Sequence, residues 1–383
     1  MSDKPATAPA NTSVADPILL ERLAKFVGAG EDRPGLDARH PVSHAVIGQM
    51  TDAVGDRNPI YSDEAFARST VHQGIVAPPL WLFSWMMPGL QPEAEESRLE
   101  DGTAYFHLAP SGQRRAVAAR RTIRDELNDV LEEYGYAVPA VTNMTYTYLR
   151  YLRPGERPHF SSWIIDEITG PKLTKLGAGF FATMHMNVYV GAELVATILQ
   201  RYLRSKPAMR AADTADAPAP ALMPEYAPGE DPVLLLGAPQ TRTTTTLRFD
   251  EVKPGDQLPP LLVRISPTLI IAGALASQDY QDVHHDYQMI RRRGHPNVFM
   301  NMMTSSGLLG RYVTDWTGPN AIIRSHELRL LRPNYPGDTM RLTGTVRSTE
   351  LVDGRGLVTL DLLGINSLGT HTDSSVTVEL PTR

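Results

Sequence analysis

The sequence contains no cysteine, so disulfides, thiolate metal sites and a cysteine nucleophile are excluded. It has no positive excess either. Its 37 Lys and Arg stand against 43 Asp and Glu, and a net charge of −6 has the wrong sign for a nucleic-acid face. No apolar run reaches membrane-spanning length, and the N-terminus lacks the pattern of a signal peptide. No nucleic-acid or membrane partner is therefore expected, and the cytoplasm is the expected compartment. What is present is ordinary for a globular enzyme: 42% hydrophobic and 21% charged residues in a chain of 383, long enough for two or three domains.

Composition also divides the chain. Residues 1–16, rich in Ala, Pro, Thr and Ser, read as a disordered leader, and the Ala/Pro-rich stretch 207–232 buries too little apolar surface to be more than a semi-extended linker. This leaves an N-terminal unit, 17–206, and a C-terminal unit, 233–383. The two repeat each other. Gly55-Asp56-Arg57-Asn58-Pro59-Ile60-Tyr61-Ser62-Asp63 matches the segment from Gln278 to Asp286, and Leu149-Arg150-Tyr151-Leu152-Arg153-Pro154-Gly155 matches Leu328-Arg329-Leu330-Leu331-Arg332-Pro333 followed by Pro336-Gly337-Asp338. Between these markers each unit has an apolar stretch of helix length, 78–87 and 298–313. After them come period-2 runs at 160–168, 180–190, 340–346, 357–364 and 374–380, the pattern of antiparallel strands.

One helix and a run of antiparallel strands make an α+β unit. A curved sheet wrapped around an apolar helix is the hot-dog arrangement, and two linked copies predict a double hot-dog, a covalent pseudo-dimer. The first copy is about 44 residues longer, with the extra sequence near 88–141. This insert predicts an amphipathic helix over 121–136, with Ile123, Leu127, Val130 and Leu131 on one face; it reads equally as a cover for a cavity and as a surface helix.

The segment Asp279-Tyr280-Gln281-Asp282-Val283-His284-His285-Asp286 places a carboxylate and an imidazole five residues apart between two apolar runs. Such a pair suits general acid–base chemistry, and a solvated turn rich in Asp and His offers the same residues. These residues, with Val298-Phe299-Met300-Asn301-Met302-Met303-Thr304 and Gly307-Leu308-Leu309-Gly310-Arg311-Tyr312, resemble the MaoC-like (R)-specific enoyl-CoA hydratase family. Within it, the C-terminal unit resembles the catalytic subunit, and the N-terminal unit the partner subunit, of actinobacterial steroid side-chain enoyl-CoA hydratases. The stretches carrying the second likeness are Gly55-Asp56-Arg57-Asn58-Pro59-Ile60-Tyr61, Gly74-Ile75-Val76-Ala77-Pro78-Pro79 and 131–154. The chain looks like a natural fusion of the two.

The resemblance implies an acyl-CoA substrate with a bulky ring system, a catalytic pair Asp279 and His284 holding one water, and no cofactor, since coenzyme A belongs to the substrate. An oxyanion donor is expected from the backbone N–H of Asn301, at the opening of the central helix, where free amides and the helix dipole favour negative charge. In the N-terminal unit Tyr61 stands in place of the His, and a phenol with pKa ~10 is a poor base. Pro79 stands at the helix opening and has no N–H to give. Asp56, Tyr61 and Pro79 are thus degenerate counterparts, and one active site per chain is expected. Arg291, Arg292, Arg293, Lys172, Lys175 and Met300 are candidates for binding coenzyme A or the acyl group, against the plainer readings of charged surface and core. His285 is expected to point away from the pair, and no metal site is expected. A homodimer is expected. No segment is long enough for the OB-like domain by which partner subunits of this kind dock onto an aldolase, so only a loose contact with a downstream aldolase or thiolase is expected. The alternatives are a dehydratase on another acyl-CoA or acyl-carrier-protein substrate, a thioesterase, and a non-catalytic acyl-CoA-binding scaffold.

Overall fold

The computed structural model describes residues 16–30, 32, 34–87, 89, 97–98, 104–105, 122–174, 177–206, 242–292 and 295–382. The expected leader, the expected linker, Lys175, Arg293 and most of the 88–121 stretch lie outside these. The first half runs α1 (Pro17–Ala24), β1 (Pro34–Asp37), α2 (His44–Val54), a 3-10 turn (Pro59–Tyr61), α3 (Glu64–Arg68), a 3-10 helix (Pro79–Met86), β2 (Ser97–Arg98), β3 (Ala104–Tyr105), α4 (Ile123–Glu133), β4 (Val138–Tyr148), β5 (Pro158–Ser161), β6 (Ile164–Thr174), β7 (Gly177–Val190) and β8 (Glu193–Ser205). The second half runs β9 (Gln257–Arg264), α5 (Pro267–Ala276), a 3-10 turn (Asp282–His284), α6 (Tyr287–Arg292), α7 (Met302–Thr317), β10 (Ile322–Leu330), β11 (Thr339–Val352), β12 (Arg355–Asn366) and β13 (Gly369–Leu380). Among the described residues no helix is long and apolar enough to cross a membrane.

The halves join edge to edge. One 11-stranded antiparallel sheet runs β1-β5-β7-β8-β4-β10-β13-β12-β11-β9, with β6 also paired to β7. The order is palindromic about the β4–β10 seam, where Thr147 faces Ser325 and Tyr146 faces His326. Each strand shows its alternation on one face: Val358, Leu360 and Leu362 on β12 and Val376, Val378 and Leu380 on β13 are buried against the helices. Each such side chain contributes roughly 1.5–3 kcal/mol, so the sheet's inner face fixes the register of both halves. This is the double hot-dog expected from the sequence.

Hydrogen bonds fix the correspondence between the halves, and in two places they correct the sequence reading. Asp279 N reaches Ala274 O and Asp56 N reaches Thr51 O; Phe299 N reaches Val283 O and Val76 N reaches Ile60 O; Met300 N reaches Asn334 O and Ala77 N reaches Leu152 O; Gly337 N reaches Ile265 O and Gly155 N reaches Val42 O. Leu149-Arg150 therefore corresponds to Leu331-Arg332, three residues on from the expected match, and Pro154-Gly155 to Pro336-Gly337. The Leu-Arg pair occurs twice in the second half, at Leu328-Arg329 and Leu331-Arg332, so either register satisfied the pattern. Likewise the counterpart of Asn301 is Pro78 rather than Pro79: each precedes its central helix as the N-cap.

The central helices themselves differ. The second is a 16-residue α-helix, buried on nearly every side; its N-cap Asn301 accepts from Thr304 N through Oδ1 at 2.9 Å. It ends at Gly318, whose φ of 90° and close approach to Thr245 O leave no room for a Cβ. The first, expected as a helix over 78–87, is a 3-10 helix of 8 residues with no side-chain cap. Its Trp81 lies against Gly307 of α7 so closely that a Cβ there would collide with the indole. The expected amphipathic helix is α4, shorter at both ends than 121–136. It buries Leu127 and Leu131 and leaves Ile123 and Val130 partly exposed. Its partners are in the first half: Glu133 pairs with Arg22, Glu132 with Arg204, and Arg124 lies over Trp163.

Candidate active site

The loop after α5 begins with a residue in the left-handed region, Gln278 at φ 57°; its counterpart after α2 is Gly55 at φ 65°. That turn sends Asp279 inward, and the 3-10 turn that follows brings His284 back beside it. His284 Nε2 lies 3.3 Å from Asp279 Oδ2, and both residues are buried, at 4% and 3% exposure. His284 Nδ1 lies 2.7 Å from Phe299 O. A carbonyl only accepts, so Nδ1 carries a proton and Nε2 is the nitrogen that faces the carboxylate: it donates to Oδ2 when the ring is protonated and offers a lone pair when it is neutral. With the ring neutral, Nε2 and Oδ2 are two acceptors converging on one point, which is the arrangement that holds a water by its two protons.

Burial pushes the Asp279 carboxyl up. The contact and charge of His284, with hydrogen bonds from Gln281 and Asn301, outweigh it and hold the group below the ordinary carboxylate value. Gln281 Nε2 donates to Oδ1 at 3.1 Å and Asn301 Nδ2 to Oδ2 at 3.2 Å. Asn301 Nδ2 also donates to Ser277 Oγ at 2.8 Å, and Ser277 Oγ donates to Gly273 O at 2.7 Å. The structure therefore gives Asn301 a second task that sequence reasoning missed: its side chain caps α7 and steadies Asp279, while its backbone N–H meets no acceptor among the described residues. The polar character of Ser277, Gln281 and Asn301 was visible; their convergence on one carboxylate was not.

His285 turns outward, 45% exposed at the side chain, with Nε2 3.9 Å from Asp282 Oδ1. Arg291 and Arg292 are exposed at the end of α6, and Arg291 Nη1 donates to Tyr287 Oη at 2.9 Å. Met300 is core, at 3% exposure. Lys172 is exposed on β6, separated from the second half by β7, β8 and β4, and the fold does not bring it to the pair.

In the first half Tyr61 occupies the place of His284, buried, and burial together with Asp56 raises its phenol well above 10. Asp56 Oδ1 accepts from Asn58 N at 3.0 Å. Burial pushes the Asp56 carboxyl up to about 7, with Asp315 adding to the rise and Arg311 opposing it. Those last two come from α7 of the other half. Arg311, at 3% exposure, donates from Nη1 to Val54 O at 2.7 Å and from Nε to Asp315 Oδ2 at 3.2 Å. It thus meets the carbonyl end of α2, where a cation is favoured.

No family model matches the chain. A solved structure described as a MaoC-like dehydratase superposes with a TM-score of 0.60 at 19% identity, covering 94% of this chain and 100% of that one, and shows the same fold. The beta subunit of a Mycobacterium tuberculosis 3-oxo-4,17-pregnadiene-20-carboxyl-CoA hydratase is 43% identical over 129 residues, 34% of this chain and 95% of the relative. The chain belongs to the MaoC-like hydratase family. The alpha subunit of the same name and organism is 36% identical over 200 residues, 51% of this chain and 54% of that subunit, so the chain spans about half the length of the alpha subunit it matches. A Mycobacterium tuberculosis protein described as a double hotdog fold superposes at a TM-score of 0.53 with 15% identity, over 92% of this chain and 96% of that one. One MaoC-like chain here is similar to both subunits of a two-subunit enzyme.

Proposed function

We propose that the protein is an enoyl-CoA hydratase that adds water across the α,β-double bond of a bulky acyl-CoA and gives the 3-hydroxyacyl-CoA. The observation that carries this reading is the pair of buried acceptors, His284 Nε2 and Asp279 Oδ2, 3.3 Å apart beside the free amide of Asn301. Water between them gives one proton to Nε2 as its oxygen attacks the β-carbon, while Asp279 accepts the other O–H and orients the nucleophile. Electrons pass to the thioester oxygen, which the Asn301 N–H stabilises at the helix opening. The imidazolium then returns its proton to the α-carbon, so water, double bond and product balance with no cofactor. Asp279, held ionised, fits the part of orienter better than that of proton donor.

The relatives are named for a pregnadiene-carboxyl-CoA, and a steroid side-chain thioester is the proposed substrate class. Beneath the 3-10 helix of the first half lies a cleft with room for about one water, lined by Pro78, Leu82, Trp85, Tyr148, Arg150 and Val195. Trp85 and Tyr148 are among its lining residues, and Trp85 Nε1 and Tyr148 Oη are buried with no partner among the described residues, a need that one bound water would meet. The segment after the helix returns to the catalytic loop, since a Cβ on Gly89 would sit 3.4 Å from Gln278 Oε1. Exposed Arg291 and Arg292 remain the proposed contacts for coenzyme A phosphates, and a homodimer, a cytoplasmic site of action and a loose contact with an aldolase or thiolase complete the proposal.

The test is loss of enoyl-thioester absorbance with crotonyl-CoA and with a steroid enoyl-CoA bearing a short side chain. Turnover of the steroid thioester alone is expected. Turnover of crotonyl-CoA alone would remove the steroid reading and keep the hydratase, and no turnover of either would remove both.

A further inference from the structure

The first turn of α7 is gripped from the sheet side as well as capped from the front. Near the end of the β12–β13 hairpin the register slips: Gly364 faces Thr372 but Ile365 faces Thr370, so His371 is the extra residue of a β-bulge. The bulge breaks the strand's alternation and turns His371 inward beside the already buried Thr372. His371, 2% exposed, has Nδ1 2.5 Å from Arg332 O and Nε2 3.0 Å from Ser305 Oγ. The carbonyl fixes the proton on Nδ1, so Nε2 accepts from the Ser305 hydroxyl. That hydroxyl is also 3.1 Å from Asn301 O, and its one proton is shared between the sheet and the opening of the helix. The same 332–334 turn takes Met300 N on Asn334 O at 3.0 Å. The peptide carrying the Asn301 N–H is therefore held by one turn on both of its flanks.

The first half supplies an internal control. Its β7–β8 hairpin has the same two-residue loop and the same bulge after the second pair from it, between Tyr189–Leu194 and Val188–Ala196, and the extra residue there is Val195. The bulge is common to both copies. Only the copy with the Asp–His pair carries a histidine on it, and the position of Ser305, four residues past the N-cap, is Leu82 in the other copy.

We propose that His371, through Ser305, is a positioning residue that aims the Asn301 amide at the thioester oxygen. The inference rests on the hydratase reading above. It is tested with full-length His371→Val, which installs the first half's own residue, with His371→Gln, which restores an acceptor for Ser305, and with Ser305→Ala. Two readouts are used: steady-state hydration, and the red shift of bound para-dimethylaminocinnamoyl-CoA, whose absorbance follows polarisation of its thioester carbonyl. Displacing a donor by a fraction of its reach is expected to lower kcat about 10–100-fold. In His371→Val that loss should come with KM within about threefold of wild type and with most of the red shift gone; Ser305→Ala should follow in the same direction by a smaller factor, and His371→Gln should recover part of both. A red shift of wild-type size in the folded variants, or equal loss in kcat and KM, would reduce His371 to packing and overturn the proposal. If His371→Val does not fold, Ser305→Ala and His371→Gln decide by the same readouts. Wild-type protein that neither hydrates an enoyl-CoA nor shifts the probe would overturn the hydratase reading itself, an outcome distinct from an active wild type with an indifferent His371.

Discussion

Asp279 and Asp56 occupy the same point of two matching loops, each with its amide on a carbonyl of the preceding helix, yet their surroundings act on them in opposite directions. Asp279 meets His284, Gln281 and Asn301 and is held below the ordinary carboxylate range; Asp56 is pushed up to about 7 by burial, which the Asn58 N–H offsets only in part. The loop alone does not make a site. What makes one is the set of donors delivered from elsewhere: a histidine fixed by the Phe299 carbonyl, an asparagine at a helix opening, and an α-helix long enough to have a capped first turn. The first half has none of the three: Tyr61 stands in the place of the histidine, and Arg311 from the second half donates to the Val54 carbonyl before the loop.

The sharpest break between the halves should appear in turnover. His284→Ala is expected to lose ~10³–10⁴-fold in kcat with an acyl-CoA substrate, while Tyr61→Phe stays within about twofold, both read by absorbance of the enoyl thioester. Comparable losses in the two variants would mean that the first half does chemistry.

Next in size is the tie between the halves. Arg311→Met removes the cation from beside the buried Asp315 and from the end of α2, and breaking such a pair from one side costs ~3–5 kcal/mol. Thermal unfolding should show a clear drop in Tm, and Arg311→Met paired with Asp315→Leu should recover part of it. A variant as stable as wild type would make the crossing contact incidental.

Asn301 separates backbone from side chain. Asn301→Pro copies Pro78 of the first half and should lose ~10²–10³-fold in kcat by removing the donor. Asn301→Gly keeps the N–H and gives up the cap and the hold on Asp279, and should lose only about tenfold. If the glycine variant fell as far as the proline one, the side chain rather than the amide would carry the effect.

Much of this was legible in sequence because it is local. The Asp279–His284 spacing, the repeat at Asp56–Tyr61 and the alternation of the strands each lie within a dozen residues. The register of the Leu-Arg match is ambiguous in sequence because Leu328-Arg329 and Leu331-Arg332 look alike, and backbone contacts such as the Asn334 carbonyl under Met300 tell them apart. The 3-10 form of 79–86 was hidden by its helix-like hydrophobicity; the two prolines at its start were the available sign. The partners of Arg311 and His371 lie 257 and 66 residues away in the chain, and no pattern along it announces them.

The smallest predicted effect bears on the degenerate half alone. The Asp56 carboxyl titrates near 7 in the folded protein and at an ordinary acid value when unfolded, so across that interval the unfolded chain releases a proton that the folded one keeps. Folding therefore weakens as pH rises from about 4 to about 7, the reverse of a salt-bridged carboxylate such as Asp279, whose contribution is lost as pH falls. Asp56→Asn removes the ionisation and keeps an oxygen for Asn58 N–H. Relative to wild type it should be neutral near pH 4 and more stable by ~1–2 kcal/mol at pH 8, three units at 1.36 kcal/mol each being discounted for the solvent that reaches this half-buried group. Hydration rates should not change. Tm measured for both proteins from pH 4 to pH 8 decides it: curves that run parallel would mean that Arg311 already neutralises Asp56, and that the vestigial carboxylate is an ion-pair partner rather than a buried acid.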